Sequence, residues 1–255
     1  MNLKNIKEQL IKFLKNEVAK TGLEKVVVGI SGGLDSAIVA VLCKEVFGEN
    51  MKGVLMPSHY SSDSSASDAI ELCEKFDIEY EIVEIAPMVK AYFDNINDEV
   101  TPLRIGNLSA RMRMSVLYDI SARDNSLVVG TSNKSELLLG YGTIFGDIAC
   151  AINPIGQMYK SDEFEFAKFL GVTDAIVTKK PSADLWDGQS DEKELGYSYA
   201  QMDKVLKQLV DENISKDELI TLGVEKELVE MLIYRIKVNA FKGKLPTIAD
   251  INFNY

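Results

Sequence analysis

Along residues 3–20 the apolar positions Leu3, Ile6, Leu10, Phe13, Leu14 and Val18 recur three and four apart, which is the spacing of one helical face. Short apolar runs and longer amphipathic segments then alternate. Residues 25–30 read as a buried strand, 36–47 as a helix and 53–57 as a second strand. Residues 64–76 read as a helix with Ala66, Ala69, Ile70, Leu72, Cys73 and Phe76 on its apolar side. A third strand is expected at 79–85, a long helix at 106–123 and a fourth strand at 126–130. Strands separated by helical segments predict a parallel sheet with right-handed crossovers. The expected fold class is therefore α/β: a Rossmann-like parallel sheet with helices on both faces. Beyond Thr131 the pattern changes. Residues 140–160 are rich in Gly, Asn and Pro and read as an ordered loop, and 178–196 as a polar, mobile segment. Helices at 198–211, 215–222 and 225–239 are expected to form a helical C-terminal part. With no repeat and no low-complexity linker, residues 1–255 are expected to make a single domain.

Composition adds exclusions. The 255 residues are 46% hydrophobic and 26% charged, as in ordinary globular proteins. No run is apolar enough to span a bilayer, and charges interrupt the N-terminal apolar pattern where a signal peptide would be continuous. The expectation is a cytoplasmic protein without a membrane partner. Cys43, Cys73 and Cys150 are widely spaced and form no CxxC, so they are expected to be reduced. A net charge of −11 argues against a nucleic-acid partner, since a phosphate backbone needs clustered Lys and Arg. It leaves room for a small anion met by a few local cations or a metal.

The segment Gly29-Ile30-Ser31-Gly32-Gly33-Leu34-Asp35-Ser36 joins a strand to a helix at a carboxyl edge, where open α/β sheets bind ligands. Its glycines allow close backbone approach to an oxyanion, and the helix N-terminus favours negative charge. The lysine of a Walker A loop is missing, and Asp35 stands in its place. A carboxylate about 4 Å from a phosphate charge would repel it by about 4 kcal/mol at an effective dielectric near 20. A divalent cation bridging the two removes that repulsion, and Mg²⁺ suits one or two carboxylates with phosphate oxygens. A second stretch, 130–161, puts Thr131 at the end of the fourth strand. It also supplies Glu136 as a further carboxylate for the metal and Lys160 as a point charge for phosphate.

SGGLDS resembles the loop of the PP-loop ATP pyrophosphatases, which cleave ATP between the α and β phosphates and adenylate an acceptor. The stretches 130–161, 106–114, 181–185, 189–192 and 195–196 resemble NAD synthetase in particular, over about residues 5–247. The resemblance implies an α/β homodimer that converts deamido-NAD, ATP and a nitrogen donor to NAD, AMP and pyrophosphate. It implies ATP binding by residues 29–36 with Thr131, Lys160 and Ser182, Mg²⁺ on Asp35 and Glu136, and deamido-NAD binding by Arg111. It places Asp147 near a second metal or the ammonia, as the candidate proton acceptor. Segments 58–67 and 178–196 match loops that order over the substrates. Ile144, Ala151 and Phe241 depart from the family, which often has Lys, Asp and His at these dinucleotide-contacting positions.

Adenylation turns a poor electrophile into a mixed anhydride. The protein is then left to position groups and stabilise charge, with Asp147 and Lys160 as the candidate catalytic residues. A glutaminase needs an activated cysteine, commonly beside a histidine. The only histidine is His59, in a polar loop, so free ammonia is the expected donor and no glutaminase domain is expected. Two other readings are weighed. A tRNA-thiolating PP-loop enzyme would want a basic surface and paired cysteines. A non-catalytic adenine-nucleotide sensor could dispense with Asp35, Glu136 and Lys160. The helix around 111–118, with Met112, Met114, Val116 and Leu117, suits either core packing or a self-complementary dimer contact.

Overall fold

Val26, Val27 and Val28 are buried on alternate faces of one strand, and the architecture grows from that alternation. The structure, a computed structural model, describes residues 2–58, 63–182 and 189–251. Four parallel strands, β1 (Lys25–Gly29), β2 (Met51–Leu55), β3 (Glu79–Ile82) and β4 (Ser126–Val129), lie in the order β3-β2-β1-β4. Val28 of β1 faces Gly53 on one side and Val129 on the other. On one face Val26 and Val28 meet helices α1 (Leu3–Thr21), α2 (Leu34–Phe47) and α3 (Asp63–Lys75) in the main core. On the other, Val27, Val54 and Val128 meet Ile120 of α5 (Pro102–Asp124) and Ile85, beside α4 (Ala86–Phe93). Helices thus cover both faces, as a parallel sheet requires. Helix α2 is buried almost all round, so it is apolar on every side.

After β4 come α6 (Lys134–Leu139), α7 (Lys160–Leu170) and α8 (Asp174–Val177), followed by α9 (Asp191–Leu195) and α10 (Tyr199–Leu206). Helix α10 runs on through a π-helical turn at Lys207–Asp211 to α11 (Lys216–Thr221) and α12 (Lys226–Asn239). Helices α6 and α9–α12 build a second core around Leu139, Tyr199, Met202, Leu206, Val229 and Leu232, with α10–α12 as the expected helical C-terminal part, while α7 and α8 send Phe166, Ala167, Ile176 and Val177 into the main core.

Several boundaries differ from the pattern reading. β2 begins at Met51 because Met51 pairs with Val26, and β3 stops at Ile82. Helix α5 starts at Pro102, capped by Thr101, and not at 106. Helices α4 and α7 were not expected from the pattern. The stretch between α6 and α7 is the expected ordered loop, bound to the sheet by an isolated bridge between Val129 and Ile152. Of the segments expected to move, 59–62 with His59 and 183–188 lie outside the described residues, and the described remainder includes α9.

Candidate active site

Strand β1 ends at Gly29 and α2 begins at Leu34, so the glycine turn sits at the carboxyl end of one of the two central strands of the sheet. Ser31 and Ser36 tie the turn to itself. Their hydroxyls lie 3.1 Å apart, and Ser31 Oγ accepts from Gly33 N at 3.2 Å. Gly32 has φ +77°, and a Cβ there would stand 2.1 Å from the carbonyl oxygen of Ser65 on α3, so glycine is required. Gly33, the N-cap of α2, offers no side chain to cap it. The first N–H groups of α2 thus form an anion-receptive end.

The turn opens on a cleft of about 640 Å³. Residues 29–36, Thr131, Glu136, Asp147, Lys160 and Ser182 all line it, as does Arg113. Arg111, two residues before Arg113 on α5, does not line the cleft and donates from Nε to Ile144 O at 3.3 Å.

At the centre Asp35 accepts from Asn133 Nδ2 at 2.7 Å and forms an ion pair with Lys160. Burial pushes the Asp35 carboxyl up, but the Lys160 charge and the hydrogen bonds outweigh it and hold the group below its ordinary value. Burial alone would lower Lys160, and the carboxylates Asp35, Glu163 and Glu136 reverse that and hold it charged. Glu136 is pushed well above the usual carboxylate range by burial and by the Asp35 charge beside it. A capping box places it: Glu136 N donates to Asn133 Oδ1 at 2.9 Å, and Glu136 Oε2 accepts from Asn133 N at 3.2 Å. A cation between Asp35 and Glu136 would relieve their repulsion, and two hard oxygen donors suit Mg²⁺. Among the described residues no group of three His, Cys, Asp or Glu is arranged to hold a metal. Any ion here would therefore draw on phosphate and water as well.

Asp147 is recessed in the cleft wall yet open to solvent. It accepts from Thr143 N at 2.8 Å, and its low-dielectric surroundings push its carboxyl up. Thr143 in turn donates to Asn107 Oδ1 at 2.8 Å. Ser182 donates to Gln189 O at 3.0 Å.

Sequence reasoning missed Asn133, Glu163 and Lys179. The Asn-x-x-Glu spacing of 133–136 is a capping-box signature and could have found the first. Glu163 is wholly buried 3.5 Å from Lys160 Nζ, and its carboxyl, when protonated, donates to that of Asp35. In the sequence it reads as the exposed acidic start of a helix. Lys179 reaches Ser65 Oγ and Asp68 Oδ2 at 2.8 and 2.9 Å and joins two sides of the cleft mouth. Lys242 donates to Gly140 O and Gly142 O at 2.8 and 3.0 Å, so this C-terminal lysine braces the loop after α6.

A doubly covered parallel sheet with an anion-receptive glycine turn, an acidic residue within that turn and a lysine beside it defines a nucleotide-binding α/β enzyme of the PP-loop type. The comparisons narrow the class. A profile of the family described as NAD synthase matches residues 6–246. The chain is 54% identical over 243 residues to the NH(3)-dependent NAD(+) synthetase of Wolinella succinogenes, covering 95% of this chain and 94% of that one. It is 52% identical to the enzyme of that name from Helicobacter pylori, covering 94% of each. Among solved structures, the NH3-dependent NAD synthetase of Campylobacter jejuni superposes with a TM-score of 0.85 at 41% identity, over 98% of this chain and all of that one. The NMN synthetase of Francisella tularensis superposes at 0.88 and 31%, with the same coverage. The chain belongs to the NAD synthase family.

Proposed function

We propose that this protein amidates deamido-NAD with ammonia at the expense of ATP, giving NAD, AMP and pyrophosphate through an adenylated intermediate. Family membership and the names of the relatives support the reaction. The observation that carries its assignment to this cleft is the convergence of Asp35, Glu136 and Lys160 on the glycine turn. Residues 29–36, Thr131 and Ser182 bind ATP, the N–H groups of the turn facing the phosphates. Asp35 and Glu136 would hold Mg²⁺, which would supply positive charge against the pyrophosphate. Lys160 exchanges its partner Asp35 for a phosphate oxygen and adds a positive charge there. The deamido-NAD carboxylate attacks the α-phosphorus and displaces pyrophosphate. Ammonia then attacks the acyl carbon, the oxyanion collapses with loss of AMP, and Asp147 takes the proton that the new amide sheds. Its raised affinity for protons suits that role. Arg111 is assigned to deamido-NAD. As it lies off the cleft of its own chain, this assignment goes with a homodimer in which a second copy completes the site.

The dimer is proposed on the outer side of α4 and α5, where Met88, Tyr92 and Tyr118 are exposed. The reading includes a single domain, ammonia as the direct donor, and a cytoplasmic location that suits free thiols at Cys43, Cys73 and Cys150.

A second acceptor is favoured by one observation. The Francisella NMN synthetase superposes as well as the Campylobacter enzyme, and Ile144, Ala151 and Phe241 stand where dinucleotide contacts were expected. The test is an end-point assay with ATP, Mg²⁺ and ammonium, offering deamido-NAD or its mononucleotide half, the acid counterpart of NMN. NAD formed one-for-one with AMP, with no gain from glutamine, is the expected result. Amidation of the mononucleotide alone would replace the proposed substrate, and no AMP with either would sink the reading.

A further inference from the structure

Helix α7 begins behind a residue that does not cap it. Tyr159 occupies the N-cap position without a side-chain hydrogen bond to the helix. Buried helix N–H groups are costly when left unpaired. Two groups from other helices take them. Ser135 Oγ of α6 accepts from Lys160 N at 3.0 Å, and Asp203 of α10 accepts from Ser161 N at 2.7 Å. Asp203 also accepts from Ser135 Oγ at 2.6 Å. One wholly buried carboxylate therefore joins three helices. The positions it joins flank the two charged groups of the site. Ser135 precedes Glu136, and Ser161 follows Lys160. None of Asp203, Ser135 and Ser161 lines the cleft.

We propose that Asp203 is a positioning residue for the reaction: by capping α7 from α10 it sets the separation of Glu136 from Lys160 without touching a substrate. The proposal rests on the function assigned to the cleft above. Met202, Val205 and Leu206 around Asp203 belong to the apolar C-terminal core, and a carboxylate among them is costly unless hydrogen-bonded. Its bonds from Ser135 Oγ and Ser161 N, at 2.6 and 2.7 Å, are short, so it holds both helices in register. It also couples the helical C-terminal part, which supplies none of the three central groups, to their geometry.

The test compares the wild-type protein with Asp203→Asn and Ser135→Ala. Mg²⁺-ATP binding is measured by calorimetry without any acceptor, melting temperature is recorded, and kcat is then determined with KM for ATP and for deamido-NAD. The Asn side chain keeps the volume but presents an NH₂ group to one of the two donors. Asp203→Asn is expected to weaken Mg²⁺-ATP binding roughly tenfold and to lower kcat by roughly 10- to 100-fold, with KM for deamido-NAD unchanged. A lowered melting temperature with wild-type affinity and wild-type kcat per folded molecule would overturn the proposal. If Asp203→Asn does not fold, Ser135→Ala decides. It removes one hydroxyl and both of that hydroxyl's bonds, so weaker Mg²⁺-ATP binding supports the proposal and unchanged binding overturns it. A wild-type protein that binds Mg²⁺-ATP but forms no NAD would count against the function alone, and the calorimetric comparison would still decide the role of Asp203.

Discussion

Glu163 is a buried acid packed against the charged centre of the site. Its carboxyl is wholly buried against that of Asp35, to which it donates when protonated, with Lys160 Nζ 3.5 Å away. Burial, and next the Asp35 charge, push its proton affinity well above the ordinary value of 4.5, and Lys160 offsets this only in part. The native state therefore holds a proton that the unfolded chain releases, and this group's contribution to stability falls as pH rises from about 4.5 through the raised value. Glu163→Gln lacks that loss. Its melting temperature is expected to gain on the wild type progressively as pH rises from 4.5 to 8, as thermal denaturation across that range would show. A constant difference would mean that Glu163 does not titrate in this way. Asp35 has the opposite sign, since its lowered value contributes stability that is lost only as pH falls below 3.8 through that value. Asp35 was legible in the sequence because it stands inside the glycine turn, and Glu136 and Lys160 because the stretch that carries them follows the fourth strand and resembles a known family. Glu163 was not, since nothing in Lys160-Ser161-Asp162-Glu163 says which acid turns inward.

At the scale of elements, α6 is a six-residue helix that owes its place to its cap. Asn133 caps it through Oδ1 and donates to Asp35 through Nδ2, so one side chain serves both helix and site. Asn133→Ala is expected to cost about 1 kcal/mol of stability for the lost cap. It should also weaken Mg²⁺-ATP binding, because Asp35 loses a donor. Denaturant titration and calorimetry on the same preparation would check both effects, and a change in stability alone would make Asn133 only a cap. Helix α7 escaped pattern reading because Glu163-Phe164-Glu165-Phe166 alternates with the period of a strand. Helix α4 escaped because eight residues opening on Ala86-Pro87 give a helical period too few turns to show. Helix α5 was placed four residues late, as Gly106 reads as a boundary whereas Thr101 and Pro102 are the true start.

Over the whole molecule, the acidic excess lies mostly outside the cleft. The chain carries −11, whereas among the described residues the cleft sets Arg113, Lys160, Lys179, Lys180, Arg235 and Lys242 against the carboxylates Asp35, Glu136, Asp147, Asp191 and Glu194. A cleft so nearly balanced can admit a small anion while the acidic remainder of the surface repels polyanions. The proposed dimer belongs to this scale too. Met88 is 43% exposed and borders a shallow apolar groove with Val83, Met112 and Val116. Sedimentation is expected to give a dimer for the wild type, and Met88→Glu should shift it toward monomer by placing a charge in the contact. A wild-type monomer at micromolar concentration would remove the homodimer and with it the assignment of Arg111.

The sequence by itself determined the parallel α/β sheet, the glycine turn at its carboxyl edge and three charged groups beside it. Those features rest on local periodicity and on residue types with a fixed geometric use. Only the tertiary structure decided that Lys160 pairs with Asp35, that Glu163 faces inward, that Arg111 leaves the cleft to Arg113, and that Asp203 caps a helix in place of Tyr159. Each of these joins groups far apart in the chain, or depends on which side of a helix faces its neighbours, and helix packing settles such matters where sequence spacing does not.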